Sequence, residues 1–228
     1  MSLVAATPTS VRPNTQPFRP AGNPSEMFAG CPELVGTPFN YARETEIYGE
    51  GETAEFVYRI VSGAVRTCKI LADGRRQINA FHLAGDLFGF EPGEAHRLTA
   101  EAIADTKVLL FSRRSVQDLA NRNVEAARRL WNSTLQNLED AEDHMLLLGR
   151  RTALERVAAF LLTIEKRLGS NRSVELPMSR RDMADYLGLT IETVSRMVTQ
   201  LQGAEVIEFN GSRNFRVKRW QALERLAA

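Results

Sequence analysis

The sequence predicts an α+β fold: an N-terminal β-roll resembling a jelly-roll barrel, then one long helix, then a C-terminal winged helix-turn-helix. Three patterns predict it, namely evenly spaced short strands, a heptad repeat, and two short helices joined at a glycine. The chain has 228 residues, of which 43% are hydrophobic and 25% charged, so it can fold as two domains. We expect a Pro-rich segment over 1–25, a β-barrel over 26–122, the long helix over 123–150 and the winged helix-turn-helix over 151–228.

The first 25 residues contain five prolines and few large apolar side chains, a composition typical of disordered chain. A role in docking a partner is the alternative. No apolar run is long enough to span a membrane, and the N-terminus lacks the order of charges and apolar residues of a signal peptide. We therefore expect a cytoplasmic protein with no membrane partner.

Short strands are predicted between residues 39 and 113. Glycines recur at Gly51, Gly63, Gly74 and Gly85, at intervals of 12, 11 and 11 residues. Asp73-Gly74 is a favoured hairpin turn, and strands at this spacing indicate a small barrel. The predicted strands rich in β-forming residues are Phe56–Val61, Val65–Leu71, Gln77–Leu83 and Val108–Phe111.

A long helix is predicted from Val124 to Leu148, with Gly149 as a hinge after it. Small and apolar residues recur along it in alternating steps of four and three, which is the pattern of a dimerising coiled coil. This seam consists of Ala127, Trp131, Thr134, Leu138, Ala141, Met145 and Leu148. The alternative is a helix that packs only on its own barrel. Leu130 and Leu135 lie off the seam and are suited to that barrel contact.

Two short helices follow between residues 179 and 201. Ser179 is predicted to cap the first of them, with Asp182 as the reciprocal partner three residues later. Gly188 supplies the turn, and Thr190 starts the second helix. Residues expected to face the core of this motif are Met183, Ala184, Leu187, Leu189, Val194, Met197, Val198 and Leu201.

The opposite face of the second helix carries Ile191, Glu192, Ser195 and Arg196, near the helix N-terminus. A helix-turn-helix presents such positions to base edges in the major groove. Arg196 can donate two hydrogen bonds to guanine, Glu192 can accept one from cytosine, and Ile191 can touch a thymine methyl group. A simple surface ion pair between Glu192 and Arg196 is the alternative.

The C-terminal third is predicted to contain a helix over Leu154–Leu168, a short strand over Glu175–Met178 and a hairpin over Val206–Val217. A hairpin after a recognition helix is a wing. Residues 151–228 have a net charge of +4 and residues 1–150 of −3, which favours DNA at this end. The predicted phosphate contacts are Ser179, Arg180, Arg181, Thr190, Thr193, Arg213, Arg216 and Lys218.

The order of barrel, long helix and winged helix-turn-helix resembles the superfamily of the cyclic-AMP receptor protein and the fumarate-nitrate regulator. The strings DYLGLTIETVSR and GDLFGFE are most similar to its FixK-like branch. The resemblance implies a homodimeric transcription activator of microaerobic, anaerobic and nitrogen-fixation genes that recruits RNA polymerase. It also implies a double-stranded DNA palindrome of the TTGA…TCAA type, read through Glu192, Ser195 and Arg196.

The sequence predicts no cofactor and no metal. Only two cysteines occur, Cys31 and Cys68, whereas an iron–sulfur cluster needs about four ligands. Gly93-Glu94 is followed by a degraded match to the phosphate clasp of cyclic-nucleotide sensors, and the three histidines are scattered. A sensor that responds to a cyclic nucleotide stays the alternative function. No set of nucleophile, base and acid predicts an enzyme.

Overall fold

The computed structural model describes residues 34–150, 152–168 and 173–227. The Pro-rich segment 1–25 and Cys31 lie outside the described residues. The N-terminal part is a roll of eight strands in two four-stranded antiparallel sheets, with strand orders β1-β8-β3-β6 and β2-β7-β4-β5. The strands are β1 Thr37–Tyr41, β2 Glu46–Tyr48, β3 Phe56–Ser62, β4 Ala64–Ile70, β5 Arg76–Leu83, β6 Leu87–Phe88, β7 Thr99–Ala102 and β8 Thr106–Ser112.

The predicted β-roll and its glycine spacing are confirmed. Gly51, Gly63, Gly74 and Gly85 all have φ between 81° and 98°, a conformation that side chains disfavour. At Gly63 the space is also closed, because a Cβ would lie 2.4 Å from Thr106 Oγ1. The glycines therefore mark the turns that set the strand length.

The sequence interpretation missed β1, β2, β6 and β7 in the barrel, and two helices, α1 over Arg113–Arg122 and α6 over Trp220–Ala227. The missed strands have between two and five residues, too few to show a period of two. In α1 the buried residues are Val116 and Leu119 alone, so its apolar face is narrow.

Helix α2 spans Val124–Arg150, so the predicted hinge at Gly149 is wrong because the helix continues through it. One side of α2 packs on the chain itself. Ala126 is buried, and Leu130 lies against the apolar cluster between the barrel and α1, as predicted. Leu135, the other predicted barrel contact, is 40% exposed and packs on none of the apolar clusters of the described residues, so that prediction is wrong. It lies five residues beyond Leu130, which places it about 140° further round the helix.

The C-terminal part is a winged helix-turn-helix. Its elements are α3 Ala153–Leu168, β9 Val174–Glu175, α4 Arg180–Leu187, α5 Ile191–Gly203, β10 Ile207–Asn210, β11 Asn214–Val217 and α6. The short strand lies earlier than the predicted Glu175–Met178, because its pairing with β11 joins Phe215 to Val174 and Asn214 to Glu175. The strand ends before Pro177, while the backbone N–H of Leu176 still donates to the carbonyl of Arg213 at 2.9 Å.

One apolar core joins the barrel to the C-terminal part. Ile78, Phe81 and Leu83 of β5 belong to the same buried cluster as Phe160 of α3 and Leu187 of α4. The outer face of one barrel sheet is therefore a packing surface for the helices behind it. None of the described helices has the length and apolar character needed to cross a membrane.

Candidate nucleic-acid interface

Helix α4 begins with the predicted capping box. Ser179 is extended, with φ −81° and ψ 169°, and its Oγ accepts a hydrogen bond from the Asp182 backbone N–H at 3.1 Å. Asp182 Oδ2 accepts from the Ser179 N–H at 2.9 Å and from its hydroxyl at 2.7 Å. At the other end Gly188 adopts the left-handed conformation, with φ 62° and ψ 39°, and ends the helix. The turn is therefore built as the sequence predicts.

Helix α5 packs through the predicted face, with Val194, Val198 and Leu201 buried and Met197 half-buried. Thr190 caps it, because its hydroxyl accepts from the Thr193 backbone N–H at 3.2 Å. The predicted roles of both threonines as phosphate contacts therefore compete with a local structural role for their hydroxyl groups, which lie 3.1 Å apart.

The predicted reading residues Glu192, Ser195 and Arg196 all lie exposed on α5. The Ser195 hydroxyl donates to the carbonyl of Ile191 at 2.8 Å and keeps its oxygen available as an acceptor. The pKa of Glu192 is lowered by its own backbone N–H, by the Thr190 hydroxyl and by Arg181. Glu192 is therefore ionised at neutral pH, the form that accepts from a cytosine amino group.

Glu192 and Arg196 do not form the surface ion pair that was the alternative interpretation. Among the described residues, no carboxylate lies within 4 Å of the Arg196 guanidinium, and Glu192 is hydrogen-bonded near the helix start instead. Because Arg196 is exposed and has no ion-pair partner among the described residues, its guanidinium is available for a bidentate contact with a base.

Ile191 differs from its three neighbours. It is half-buried and packs on the apolar core of the C-terminal part. Only the solvent-exposed part of the Ile191 side chain is therefore available for the predicted contact with a base. The periodicity of α5 did not reveal this, because Ile191 lies in the first turn, where the chain enters from the loop at Leu189.

The wing is the predicted hairpin, with β10 and β11 paired from Ile207–Val217 to Asn210–Asn214. Two of its predicted phosphate contacts are already paired. Arg216 contacts Glu208 across the hairpin at 2.6 Å, and Lys218 lies 3.7 Å from Glu205. No such ion pair within the described ranges engages Arg213 or Arg181, so these two are the stronger phosphate candidates.

Arg180 is placed differently from the prediction. Its guanidinium lies over the ring of Phe209 in the wing, with 4.3 Å between its central carbon and the ring centroid. One of its terminal nitrogens is buried and has no hydrogen-bond partner in the part of the chain that the structure describes, and burial lowers the pKa of the side chain. Arg180 therefore anchors the wing to α4 through a cation–π contact. The sequence did not predict this role for Phe209, because an aromatic residue in a hairpin is by itself a weak signal.

Comparison with known proteins agrees with this architecture. A model of the Crp-like helix-turn-helix domain matches residues 155–226, and a model of the cyclic nucleotide-binding domain matches residues 38–123. The nitrogen fixation regulation protein FixK of Azorhizobium caulinodans is 46% identical over 197 residues, which cover 84% of this chain and 79% of that protein. The FixK of Rhizobium meliloti is 44% identical over 86% of this chain and 88% of its own length.

The chain belongs to the FixK-like branch of the superfamily of the cyclic-AMP receptor protein and the fumarate-nitrate regulator. Among solved structures, FixK2 from Bradyrhizobium japonicum matches with a TM-score of 0.83 and 55% identity, covering 86% of this chain and 98% of that one. This FixK-like regulator is a DNA-binding transcription regulator, and its relatives are named as regulators rather than enzymes. The predicted family, fold and functional class are therefore confirmed.

A cleft of about 860 Å³ separates the barrel of this FixK-like regulator from α2 and α3. His82 lies in it, and burial lowers the pKa of its ring to about 4, so it is neutral at physiological pH. Arg167 reaches across from α3 to pair with Asp86. Arg167, one of the arginines that line the cleft, is thus already paired within the protein.

The degraded clasp after Gly93 is engaged by the barrel itself. The Gly93 carbonyl accepts from Arg113, and Arg97 lies 3.5 Å from a carboxylate oxygen of Glu91. The neighbouring His96 is buried and stacks on Tyr48, with 3.5 Å between ring centroids. These contacts within the barrel hold the segment in place.

Replacing Ser179 by cysteine tests how close the α4 N-terminus lies to DNA. A thiol is a poorer partner than a hydroxyl, so the reduced variant should bind DNA with a cap weakened by about 1 kcal/mol. Peroxide should convert the Ser179→Cys thiolate to a sulfinic or sulfonic acid and abolish binding. The new charge would face both the Asp182 carboxylate, which holds residue 179 at 2.7 Å, and a nearby phosphate.

Mobility shifts before and after peroxide measure this effect, with mass spectrometry to confirm oxidation. The chain with Ser179 is the matched control and should keep binding after the same treatment. If the fully oxidised cysteine variant binds as well as the reduced one, residue 179 does not approach the DNA backbone.

Proposed function

We propose that this FixK-like regulator is a homodimeric activator that reads a TTGA…TCAA type palindrome without a small-molecule effector. In this proposal it acts in the cytoplasm, recruits RNA polymerase and activates genes of microaerobic or anaerobic respiration and nitrogen fixation. The observation that carries it is the free, exposed reading face of α5, with Glu192, Ser195 and Arg196 displayed together. The names of its FixK relatives, which are nitrogen fixation regulation proteins, support the gene class.

The homodimer is supported by the seam of α2. Trp131, Leu138 and Met145 are 64%, 53% and 66% exposed in the single chain, although large apolar side chains favour burial. They repeat at heptad spacing along α2, whereas Leu130, which packs on the barrel, lies outside the heptad positions. We propose residues 123–150 as the dimerisation helix and 151–228 as the DNA-binding domain, which we call the reading head. A two-fold axis along α2 would then present two reading heads to two half-sites.

An activating role is supported by a further relative. The protein AadR of Rhodopseudomonas palustris, named a transcriptional activatory protein, is 40% identical over 84% of this chain and 82% of its own length. An activator bound beside a promoter raises transcription by contacting RNA polymerase. We therefore place polymerase among the partners, together with double-stranded DNA and a second copy of the chain.

DNA binding in the absence of an effector is the direct test of this proposal. Purified protein incubated in air with a random DNA pool, and with no added ligand, should enrich a palindrome with TTGA half-sites. We expect this result because the reading face of α5 is exposed, and because Arg113 and Glu91 already hold the degraded clasp after Gly93. A requirement for cyclic AMP, haem or iron–sulfur reconstitution before any enrichment would contradict the proposal.

A cyclic-nucleotide response is the second candidate, favoured by the match of residues 38–123 to the cyclic nucleotide-binding domain. Calorimetric titration with cyclic AMP and cyclic GMP separates the two functions. Saturable heat at micromolar ligand, together with tighter DNA binding, would favour the sensor. We expect no heat of binding and no change in DNA affinity.

A further inference from the structure

Helix α4 is attached to the barrel by a cluster of ion pairs. Arg66 of β4 and Arg76 of β5 each place a guanidinium nitrogen 2.8 Å from the same carboxylate oxygen, Oδ1 of Asp182. Arg76 also contacts Asp185 at 2.8 Å, one turn further along α4. Arg66 and Asp182 are 4% and 3% exposed, so this contact lies inside the protein.

Asp182 connects the barrel to the N-terminus of α4 through its two carboxylate oxygens. While Oδ1 receives the two arginines, Oδ2 accepts the backbone N–H and the hydroxyl of Ser179. Four donors saturate the carboxylate. The first turn of α4, which the sequence places against DNA, therefore cannot move away from β4 and β5 without breaking buried hydrogen bonds.

The other end of α4 is also held. His144 of α2 donates through Nε2 to the carbonyl of Tyr186 at 2.8 Å, and the two rings stack with centroids 3.8 Å apart. Arg156 of α3 donates to the carbonyls of Leu187 at 3.0 Å and Leu148 at 2.8 Å. The barrel and α2 thus contact opposite ends of one short helix.

These contacts leave the reading face uncovered. They engage Asp182, Asp185 and Tyr186 on α4, whereas Glu192 and Arg196 on α5 remain exposed. Buried arginine–carboxylate pairs are expensive to desolvate and often add little net stability compared with apolar packing, but their geometry is specific. A cluster of this kind is therefore better suited to defining one orientation than to adding stability.

We propose that Arg66 and Arg76 are positioning residues for DNA binding: the barrel holds α4 through Asp182 and Asp185 and so sets the orientation of the reading head without a ligand. This inference rests on the proposed function as an effector-independent dimer. Two heads that bind one palindrome must lie about one helical turn of DNA apart. A head released from the barrel would populate that arrangement only part of the time, and its apparent affinity would fall by that fraction.

The test measures affinity for the palindrome and the penalty for a changed distance between half-sites. The wild-type protein should bind strongly to the natural spacing and poorly to DNA with two base pairs inserted at the centre. We expect Arg66→Met and Arg76→Met to bind the natural palindrome roughly tenfold more weakly. The spacing penalty should shrink in the same variants, because a freer head tolerates either distance.

Two controls keep the test specific. Arg75→Met changes an arginine in the same hairpin that is 79% exposed and pairs with Asp73, and it should behave as wild type. The reciprocal exchange Arg76→Asp with Asp185→Arg rebuilds one cross-link at positions 20% and 23% exposed. It also replaces the second donor to Asp182 Oδ1 by a carboxylate, so it should restore the spacing penalty only in part. Urea unfolding of each variant identifies any that fail to fold, and Arg76→Met is the safer of the two because Arg76 is the less buried.

Two outcomes would overturn the proposal. Folded variants that keep wild-type affinity and the full spacing penalty would show that the cluster does not position the head. Tighter binding by the variants would show that the cluster restrains the protein in an inactive arrangement. A wild-type protein that binds DNA only with an added ligand contradicts the proposed function instead, and the same comparison of variants can then be made with that ligand present.

Discussion

Replacing Arg196 by alanine should weaken binding by about 1–3 kcal/mol per half-site and relax the preference for one G·C pair. The loss should depend on sequence because the guanidinium is exposed on α5 and has no carboxylate partner among the described residues, so its donors are available to guanine O6 and N7. Affinity for the palindrome and for its single-base variants, measured by fluorescence anisotropy, gives the size of the effect at each position.

Two matched variants interpret that result. Arg196→Lys keeps the charge but not the planar fork, so it should lose the base preference while the salt dependence stays unchanged. Arg213→Ala, in the wing, should weaken all sequences equally and lower the salt slope by about one charge per subunit. If Arg196→Ala weakens every sequence to the same extent, Arg196 contacts phosphate and its assignment to a base is wrong.

Changing Leu138 and Met145 together to glutamate should convert the dimer to a monomer and abolish binding to the palindrome. Both side chains lie on the exposed seam of α2, and glutamates there would face like charges across the two-fold axis. Sedimentation velocity at micromolar concentration measures the first effect, and a mobility shift measures the second.

Leu146→Glu is the matched control for the seam. Leu146 is 55% exposed and directly follows Met145, but it lies outside the heptad positions. This variant should remain a dimer and bind DNA. An unchanged dimer after the double substitution would place the two-fold contact on another surface.

The helix-turn-helix could be predicted almost completely from sequence. Ser179 and Asp182 form the capping box, Gly188 makes the left-handed turn, and Val194, Val198 and Leu201 are buried. Each of these features depends on neighbours within four residues, so local chemistry determines it. In the barrel, β3, β4, β5 and β8 could be predicted because glycines recur at the turns, whereas the shorter β1, β2, β6 and β7 could not.

Contacts between distant parts of the chain were not predictable in this way. Arg180 looked like a phosphate ligand, but the wing brings Phe209 beneath its guanidinium. Arg216 also looked free, yet the hairpin register places Glu208 directly opposite it. In both positions the sequence showed that the side chain is charged, and the fold determined which group that side chain contacts.

The sequence by itself determined the class of this protein: a β-roll, a long helix with an apolar seam, and a winged head whose α5 displays Glu192, Ser195 and Arg196. Periodicity, caps and turns encode these elements locally. Only the tertiary structure decided that Arg66 and Asp182, 116 residues apart, share a buried hydrogen bond between barrel and head. Such a pairing leaves no periodic signal, because it arises from the packing of whole elements and from the low dielectric that makes an unpaired buried charge costly.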